Sequence, residues 1–472
     1  MTGALERADA AVAADREWPD AAPRRLLVVA DSDSYVKWGA ALASTLPGTW
    51  TAELVILASP VMPSGRQLAH ALDGTRFTSG DVRVVHLDDL DALVDGLDPH
   101  AVLLSLRGPF VRVVAPILQD RDDRPVLLSG FPGLTIPAVP KAVIYREQTD
   151  LIVLHSRREV AEFHANAAEL GVDRRFGLAT LPFLAPRRGG GAAAARGAGG
   201  AGRAGGVASD GTDVVFAAQA KVPAEPDDRV RVLEALAELA RRRGDLRVVV
   251  KVRARRGEAQ THLEEHGYAD LLDRLADVPS NLVVEDGPMA AKLARAGALV
   301  TVSSTAALEA VAMGLPVLLL DDFGVSPGMI NTVFEDSGLF GSTRDLVESR
   351  FRHADAAWTA DNYFHGRGDD DWSAQLHALV EAREIVPLAR LERVHDRSGG
   401  AVRAAYERRR MLGSYDRDPL GSAAWALGRV ARAVVRRVRR LRRRLAGTTD
   451  AAPTPRVSVD GGRVLLDVTQ VG

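Results

Sequence analysis

The stretch Leu299–Leu320, LVTVSSTAALEAVAMGLPVLLL, constrains the fold more than any other part of the chain. It reads as a buried strand, a hydroxyl-rich turn, a short helix, a glycine stop and a second buried strand, because two apolar β-branched runs flank a segment of helix formers. Gly314 ends the helix and Pro316 prevents its continuation. Ser303, Ser304 and Thr305 bring hydroxyls and backbone N–H groups to the helix start, where unpaired donors and the positive dipole end suit a phosphate. The same three residues are also ordinary helix-capping residues. Glu309, one turn further, is placed to accept hydrogen bonds from a ribose.

The same alternation recurs on both sides. Strands are expected at Arg25–Ala30, Ala52–Leu57, Val82–Leu87, Ala101–Leu106, Val126–Leu128, Ala142–Tyr145 and Leu151–Leu154, with helical segments between several of them. After a Gly/Ala-rich stretch the pattern resumes: strands at Asp213–Ala218, Leu246–Val252 and Asn281–Glu285, and helices at Asp227–Arg243, His262–Ala276 and Met289–Ala296. Strands alternating with helices give parallel, doubly wound sheets. The expected organisation is a loose leader over 1–23, a Rossmann-like domain over 24–186, a flexible linker over 187–212 and a second Rossmann-like domain with closing helices over 213–412. A basic helix over 422–446 and a tail over 447–472 with a hairpin around Asp460-Gly461-Gly462 follow. A helix is also expected over Ala374–Met411. Two such domains place the C-terminal ends of their strands across a cleft, where open α/β sheets bind ligands.

Composition removes several chemistries. With no cysteine, disulfides, thiolate metal sites and a cysteine nucleophile are excluded. The 11 histidines show no HExxH-like spacing, so no metal ligand set is expected, and no Ser-His-Asp order or P-loop signature is present. No apolar run has membrane-spanning length and the first residues have no apolar signal core, so a cytoplasmic protein is expected.

The unit Ser303-Ser304-Thr305 with Glu309 resembles the donor-nucleotide motif of the two-domain glycosyltransferases of the GT-B architecture, and the chain as a whole resembles a bacterial group of uncharacterised glycosyltransferases. The resemblance implies a GT-B-like fold, with the turn meeting a diphosphate and the helix glutamate a ribose. It also implies that the chain returns to the first domain near its C-terminal end. Phe216-Ala217-Ala218-Gln219 ends the strand that meets the donor in those enzymes, and Lys251 with Arg253 resembles a lysine-bearing turn near the donor phosphates. The His-Pro that commonly follows that lysine is absent, which weakens the likeness to UDP-N-acetylglucosamine 2-epimerases. Lys251 and Arg253 are either diphosphate ligands or surface charge at a strand end. Asp321 and Asp322 end the next strong strand as sugar contacts or turn residues, with a metal role a distant third, and Asn331 is a further donor-recognition candidate.

In the first domain, Asp31-Ser32-Asp33 leaves the first strand as a polar turn. Transfer with inversion needs a base for the acceptor proton, and Asp33 is the first candidate, Asp31 the second, set against a plain helix-capping turn. Arg107 suits an anionic acceptor, and His155 is a third base candidate, although a structural reading fits both better.

Between Arg429 and Arg444 lie nine arginines and no acid, with Leu427, Val430, Val434, Val438, Leu441 and Leu445 recurring at helical spacing. That is the pattern of a basic amphipathic helix on an anionic bilayer, with Trp425, Arg436, Arg437 and Arg440 as membrane contacts, and an RNA-binding or core helix as alternatives. The expectation is therefore a transferase that moves a sugar from a nucleotide-sugar substrate, without a cofactor, to a cell-envelope or membrane-associated acceptor at the inner membrane face. A sugar-nucleotide epimerase or polyol-phosphate transferase of the same fold, and a non-catalytic nucleic-acid-binding protein, are the alternatives.

Overall fold

In a computed structural model of the chain, residues 23–184, 211–252, 266–395 and 400–426 are described. The loose leader, nearly all of the linker, Arg253, the basic segment with Arg436, Arg437 and Arg440, and the hairpin lie outside them.

The first domain alternates as expected: β1 (Arg24–Ala30), α1 (Asp33–Ala43), β2 (Trp50–Leu57), α2 (Gly65–Leu72), β3 (Arg83–Val85), α3 (Leu90–Leu97), β4 (Ala101–Ser105), α4 (Gly108–Gln119), β5 (Val126–Gly130), α5 (Pro140–Ile144), β6 (Leu151–Leu154), α6 (Arg157–Glu169) and β7 (Arg175–Leu178). Among the described residues these strands form one parallel sheet in the order β3-β2-β1-β4-β5-β6-β7. The central strands are buried on both faces, which is why they read as unbroken apolar runs. The expected strand at Ala142–Tyr145 is instead part of α5, because Pro140 stands at the first helical turn, where its fixed φ favours a helix start.

The second domain runs through β8 (Asp213–Ala217), α7 (Pro226–Arg242), β9 (Arg247–Lys251), α8 (Tyr268–Leu272), β10 (Leu282–Glu285), α9 (Met289–Leu293), β11 (Ala296–Thr301), α10 (Ala306–Ala312), β12 (Val317–Leu320), β13 (Phe340–Gly341), α11 (Thr343–Val347) and α12 (Ala356–Asp361). Its strands pair in parallel in the order β10-β9-β8-β11-β12-β13. Both sheets therefore reverse direction beside their first strand, at β1/β4 and at β8/β11, and two such doubly wound domains make the GT-B-like arrangement.

The domains meet at the C-terminal ends of their strands. Gly133, in the loop after β5, approaches Thr305 so closely that a β-carbon would lie 3.5 Å from the threonine methyl. Arg66 at the start of α2 pairs with Asp286 after β10 at 3.5 Å. Ile136 and Leu181 of the first domain share a buried cluster with Ala306, Ala307 and Leu308 of α10.

The chain then returns to the first domain. Asp371 accepts from the backbone N–H of Leu178 at 2.6 Å, and α13 (Trp372–Ile385) buries Trp372, Leu376 and Val380 beneath the first sheet. The long helix expected over Ala374–Met411 is two, α13 and α14 (Gly400–Leu412), since Pro387 cannot continue the first. α14 packs on α4 and Leu412 joins the first domain's core, so by packing α13 and α14 belong to the first domain and not to the second.

Candidate functional site

The two reversal points are built alike but with different chemistry. After β8, the Gln219 side chain clasps the turn after β11. Its Oε1 accepts from the Ser303 N–H at 2.8 Å, and its Nε2 donates to Ser303 Oγ at 3.2 Å. Ser304 N–H donates to Thr301 Oγ1 at 3.3 Å, and Ser304 Oγ accepts from the Ala306 N–H at 3.2 Å. The turn is thus fixed before any ligand arrives. Thr305 caps α10 without a side-chain capping bond, and its side chain is half-exposed beside Gly133. Glu309 is half-buried one turn further, and its carboxylate has no partner among the described residues. Lys251 ends β9, paired in register with Glu285.

After β12 the two acidic residues differ. Asp322 accepts from the Thr343 N–H at 2.6 Å and from its hydroxyl at 2.8 Å, and its side chain is 7 % exposed. It anchors the start of α11, so the sugar-contact role expected of it is corrected to a structural one. Asn331 is wholly buried, accepting from the Ser326 N–H at 3.0 Å and donating to Gly324 O at 3.1 Å. It closes the Asp321–Asn331 loop and cannot reach a donor. Asp321 stays half-exposed, and burial followed by the charge of Asp322 raises its pKa above the ordinary carboxylate value.

At the first domain's reversal point the clasp is charged. Asp31 is fully buried and accepts from Arg107 Nε at 2.6 Å, from the Arg107 N–H at 3.4 Å and from Ser32 Oγ at 3.0 Å. Burial raises its pKa while Arg107 opposes the shift. With no exposed surface Asp31 cannot take a proton from an acceptor, which corrects that assignment, whereas Asp33 is half-exposed at the first turn of α1.

His155 is also corrected. The Trp38 indole N–H, which can only donate, lies 2.7 Å from His155 Nε2, so Nε2 accepts and Nδ1 carries the proton to Ala179 O at 2.9 Å. Both ring nitrogens are used and the side chain is buried, so no substrate proton can reach it.

Sequence reading missed the residues beneath this rim. Glu159 is a buried carboxylate that accepts from the His155 N–H at 2.8 Å, the Thr135 N–H at 3.2 Å and the Tyr363 hydroxyl at 2.6 Å, joining β6, the loop near Gly133 and the returning chain. His365 Nε2 and Thr180 share Asp370 beside it, at 2.9 Å from the imidazole and 2.7 Å from the Thr180 N–H. Arg146 is buried with its guanidinium 3.8 Å from the Phe131 ring centre. Trp425 stacks on Tyr406 of α14 with ring centres 5.2 Å apart, half-buried. Among the described residues no group of three or more His, Asp or Glu is placed to hold a metal, and no helix is long and apolar enough to cross a membrane.

No curated protein sequence matches the chain. Similar solved structures include a "putative UDP-N-acetylglucosamine 2-epimerase" from Listeria monocytogenes, at 13% identity, covering 79% of this chain and 100% of that one with a TM-score of 0.49. The Neisseria meningitidis UDP-GlcNAc 2-epimerase bound to UDP-GlcNAc is similar at 11% identity, with coverage of 77% and 98% and a TM-score of 0.43. Arabidopsis thaliana UGT89C1 complexed with UDP-L-rhamnose is similar at 14% identity, with coverage of 76% and 93% and a TM-score of 0.40. A family profile matches residues 26–379, three quarters of the chain, and the chain belongs to that family, described as "Putative glycosyltransferase (DUF6716)".

Proposed function

We propose that the protein transfers a sugar from a nucleotide-sugar donor, bound at the Ser303–Thr305 turn, to an acceptor bound against the rim of the first sheet. The observation that carries this reading is Glu309: a half-buried carboxylate without a protein partner among the described residues, one turn behind a turn fixed by Gln219 at the sheet's reversal point. A partly buried charge without a partner is costly unless a ligand supplies the hydrogen bonds, and vicinal ribose hydroxyls do so. Half-exposed Ser304 and Thr305 meet the diphosphate, with Lys251 and Arg253 offsetting its charge, while buried Ser303 ties the turn to Gln219 instead of touching the ligand. Asp321 contacts the sugar. In the transfer the bond from the anomeric carbon to the diphosphate oxygen breaks, and the diphosphate leaves with the electron pair. The acceptor oxygen bonds to the anomeric carbon while Asp33 takes its proton.

The finer reading of the acceptor is a cell-envelope or membrane-borne molecule, and Arg436, Arg437 and Arg440 in the acid-free basic segment support an anionic inner-membrane surface as a partner. Nucleic acid is the lesser reading of that segment.

Thermal stabilisation by UDP, GDP, CDP, dTDP and CMP tests the donor site, because a ligand that binds only the folded protein raises its melting temperature. One nucleotide should stabilise the wild type, and Glu309→Ala should weaken that effect at least tenfold. No stabilisation at millimolar nucleotide, or an unchanged affinity in Glu309→Ala, overturns the assignment.

A further inference from the structure

We infer that the rim of the first sheet, where β1, β4 and β5 end, binds an anionic group of the acceptor, a phosphate, with Arg107 in contact and Arg146 behind it. The word acceptor rests on the transferase reading above; the anion site does not.

Arg146 is 2% exposed, and its hydrogen bonds go to Ser129 Oγ at 3.1 Å, Gly130 O at 3.0 Å, Ala142 O at 3.3 Å and the Tyr35 hydroxyl at 3.5 Å. Every one of these partners is neutral. No carboxylate pairs with this guanidinium among the described residues, although buried charges are ordinarily paired. Tyr35 does not supply the missing charge, because burial raises the pKa of its phenol and keeps it protonated. Tyr35 stands between the two guanidiniums: its hydroxyl accepts from Arg146, and the charges of Asp31 and Arg107 also act on its phenol. The backbone ties these groups together: Ser105, aligned with Ala30 across β1 and β4, donates to Tyr35 O at 2.7 Å.

Arg107 is the member that reaches solvent, with its side chain 32% exposed. Its Nε is held by buried Asp31, and its two terminal nitrogens have no protein partner among the described residues. A guanidinium fixed at Nε presents its remaining N–H bonds as a planar fork, which suits two oxygens of one phosphate. Asp31, aligned with neither solvent nor substrate, thereby acts as a positioning residue for Arg107.

Binding of glycerol 3-phosphate, with neutral glycerol as control, is measured on the full-length protein by calorimetry at constant ionic strength, alongside the nucleotide that stabilises it. Glycerol 3-phosphate should bind and glycerol should not. Arg107→Gln should weaken the phosphate at least tenfold, Arg107→Lys should retain part of the affinity, and neither should alter nucleotide affinity. Because Arg107→Gln leaves Asp31 buried alone, the paired variant Asp31→Asn/Arg107→Gln repeats the test without that charge. Equal phosphate binding in the folded variants, or none in the wild type, overturns the inference. So does a tenfold loss of nucleotide affinity in Arg107→Gln, which would give Arg107 to the donor. Failure of every nucleotide with Arg107-dependent phosphate binding intact removes the transferase reading and leaves this site standing. Competition by phosphatidic-acid vesicles, relative to phosphatidylcholine vesicles, assigns the phosphate to a lipid headgroup; its absence assigns it to a soluble acceptor.

Discussion

The two sheets reverse at equivalent places, and at each a side chain from the first strand's end clasps one from the fourth strand's end. In the first domain the clasp is Asp31 on Arg107, a buried charge against a half-exposed one; in the second it is Gln219 on Ser303, an amide against a hydroxyl and a peptide N–H. Beneath the first rim Glu159 holds three donors and His155 is bonded at both nitrogens. Behind the second rim Glu309 is left without a partner among the described residues. The buried groups beneath the first rim spend their polarity on holding the domains and the returning chain in place, with Arg107 alone of the clasp reaching solvent, whereas behind the second rim a carboxylate is kept in reserve for a ligand. Substitutions among the buried groups beneath the first rim should therefore register mainly as lost stability, and those behind the second mainly as lost binding.

The largest effect is expected at Glu159. Glu159→Ala leaves the His155 N–H, the Thr135 N–H and the Tyr363 hydroxyl buried without an acceptor, at about 1–3 kcal/mol for each unpaired group and about 3–5 kcal/mol together after relaxation. Urea unfolding followed by tryptophan fluorescence measures this. Tyr363→Phe, which removes one donor, should cost about 1 kcal/mol. A loss below 1 kcal/mol in Glu159→Ala would dissolve the contrast between the rims.

The next effect depends on pH. Burial lowers the pKa of His155 below its ordinary value of 6.5, while Glu159 opposes the shift and His365 adds to it. The unfolded chain therefore binds the proton more readily than the folded one. His155 gives its full contribution above about pH 6.5 and loses it as the pH falls, by at most about 1.4 kcal/mol per unit. His100 and His377, also lowered by burial, add the same sign, and Asp31, raised by burial, opposes it at lower pH. The difference between wild type and His155→Gln isolates one group. Parallel stability curves from pH 7.5 to 5 would show that the imidazole is not held neutral by Trp38.

How much of this was legible in the sequence follows from how far apart the partners lie. Parallel strands buried on both faces announce themselves as apolar runs, so β1, β4, β8, β11 and β12 were readable, together with the polar turns that end them. β7 was not, because Arg175-Phe176-Gly177-Leu178 is too short and mixed to stand out. The split between α13 and α14 was readable in principle from Pro387. Side-chain chemistry marked Asp31, His155, Asp322 and Asn331 as candidates, but burial and fixed partners decide their roles, and neither is a local property. Glu159 and Tyr363 meet across 204 residues of chain, and no window of sequence contains both.

A smaller effect is expected at Gln219. Gln219→Ala removes two hydrogen bonds to Ser303 but leaves a half-buried site open to water, so its stability cost should be about 1 kcal/mol. Its effect on the donor nucleotide should exceed that, since the turn would no longer be fixed before binding. Calorimetric titration beside urea unfolding separates the two quantities. Equal losses in both would make Gln219 a structural clasp like Asp31.

The smallest effect on stability belongs to Glu309. A carboxylate that bonds to nothing in the described protein gives up no hydrogen bond when truncated, and Ala has a higher helix propensity than Glu at this position inside α10. Glu309→Ala should therefore change unfolding free energy by less than about 0.5 kcal/mol, as an ordinary surface substitution does. The same variant is the one expected to lose nucleotide binding, so the two rims separate most sharply here: at Glu159 stability goes, and at Glu309 stability remains while the ligand goes. Destabilisation of Glu309→Ala by 2 kcal/mol or more in urea would mean that the carboxylate serves the fold, and the distinction between a rim that holds the protein and a rim that holds the donor would fall with it.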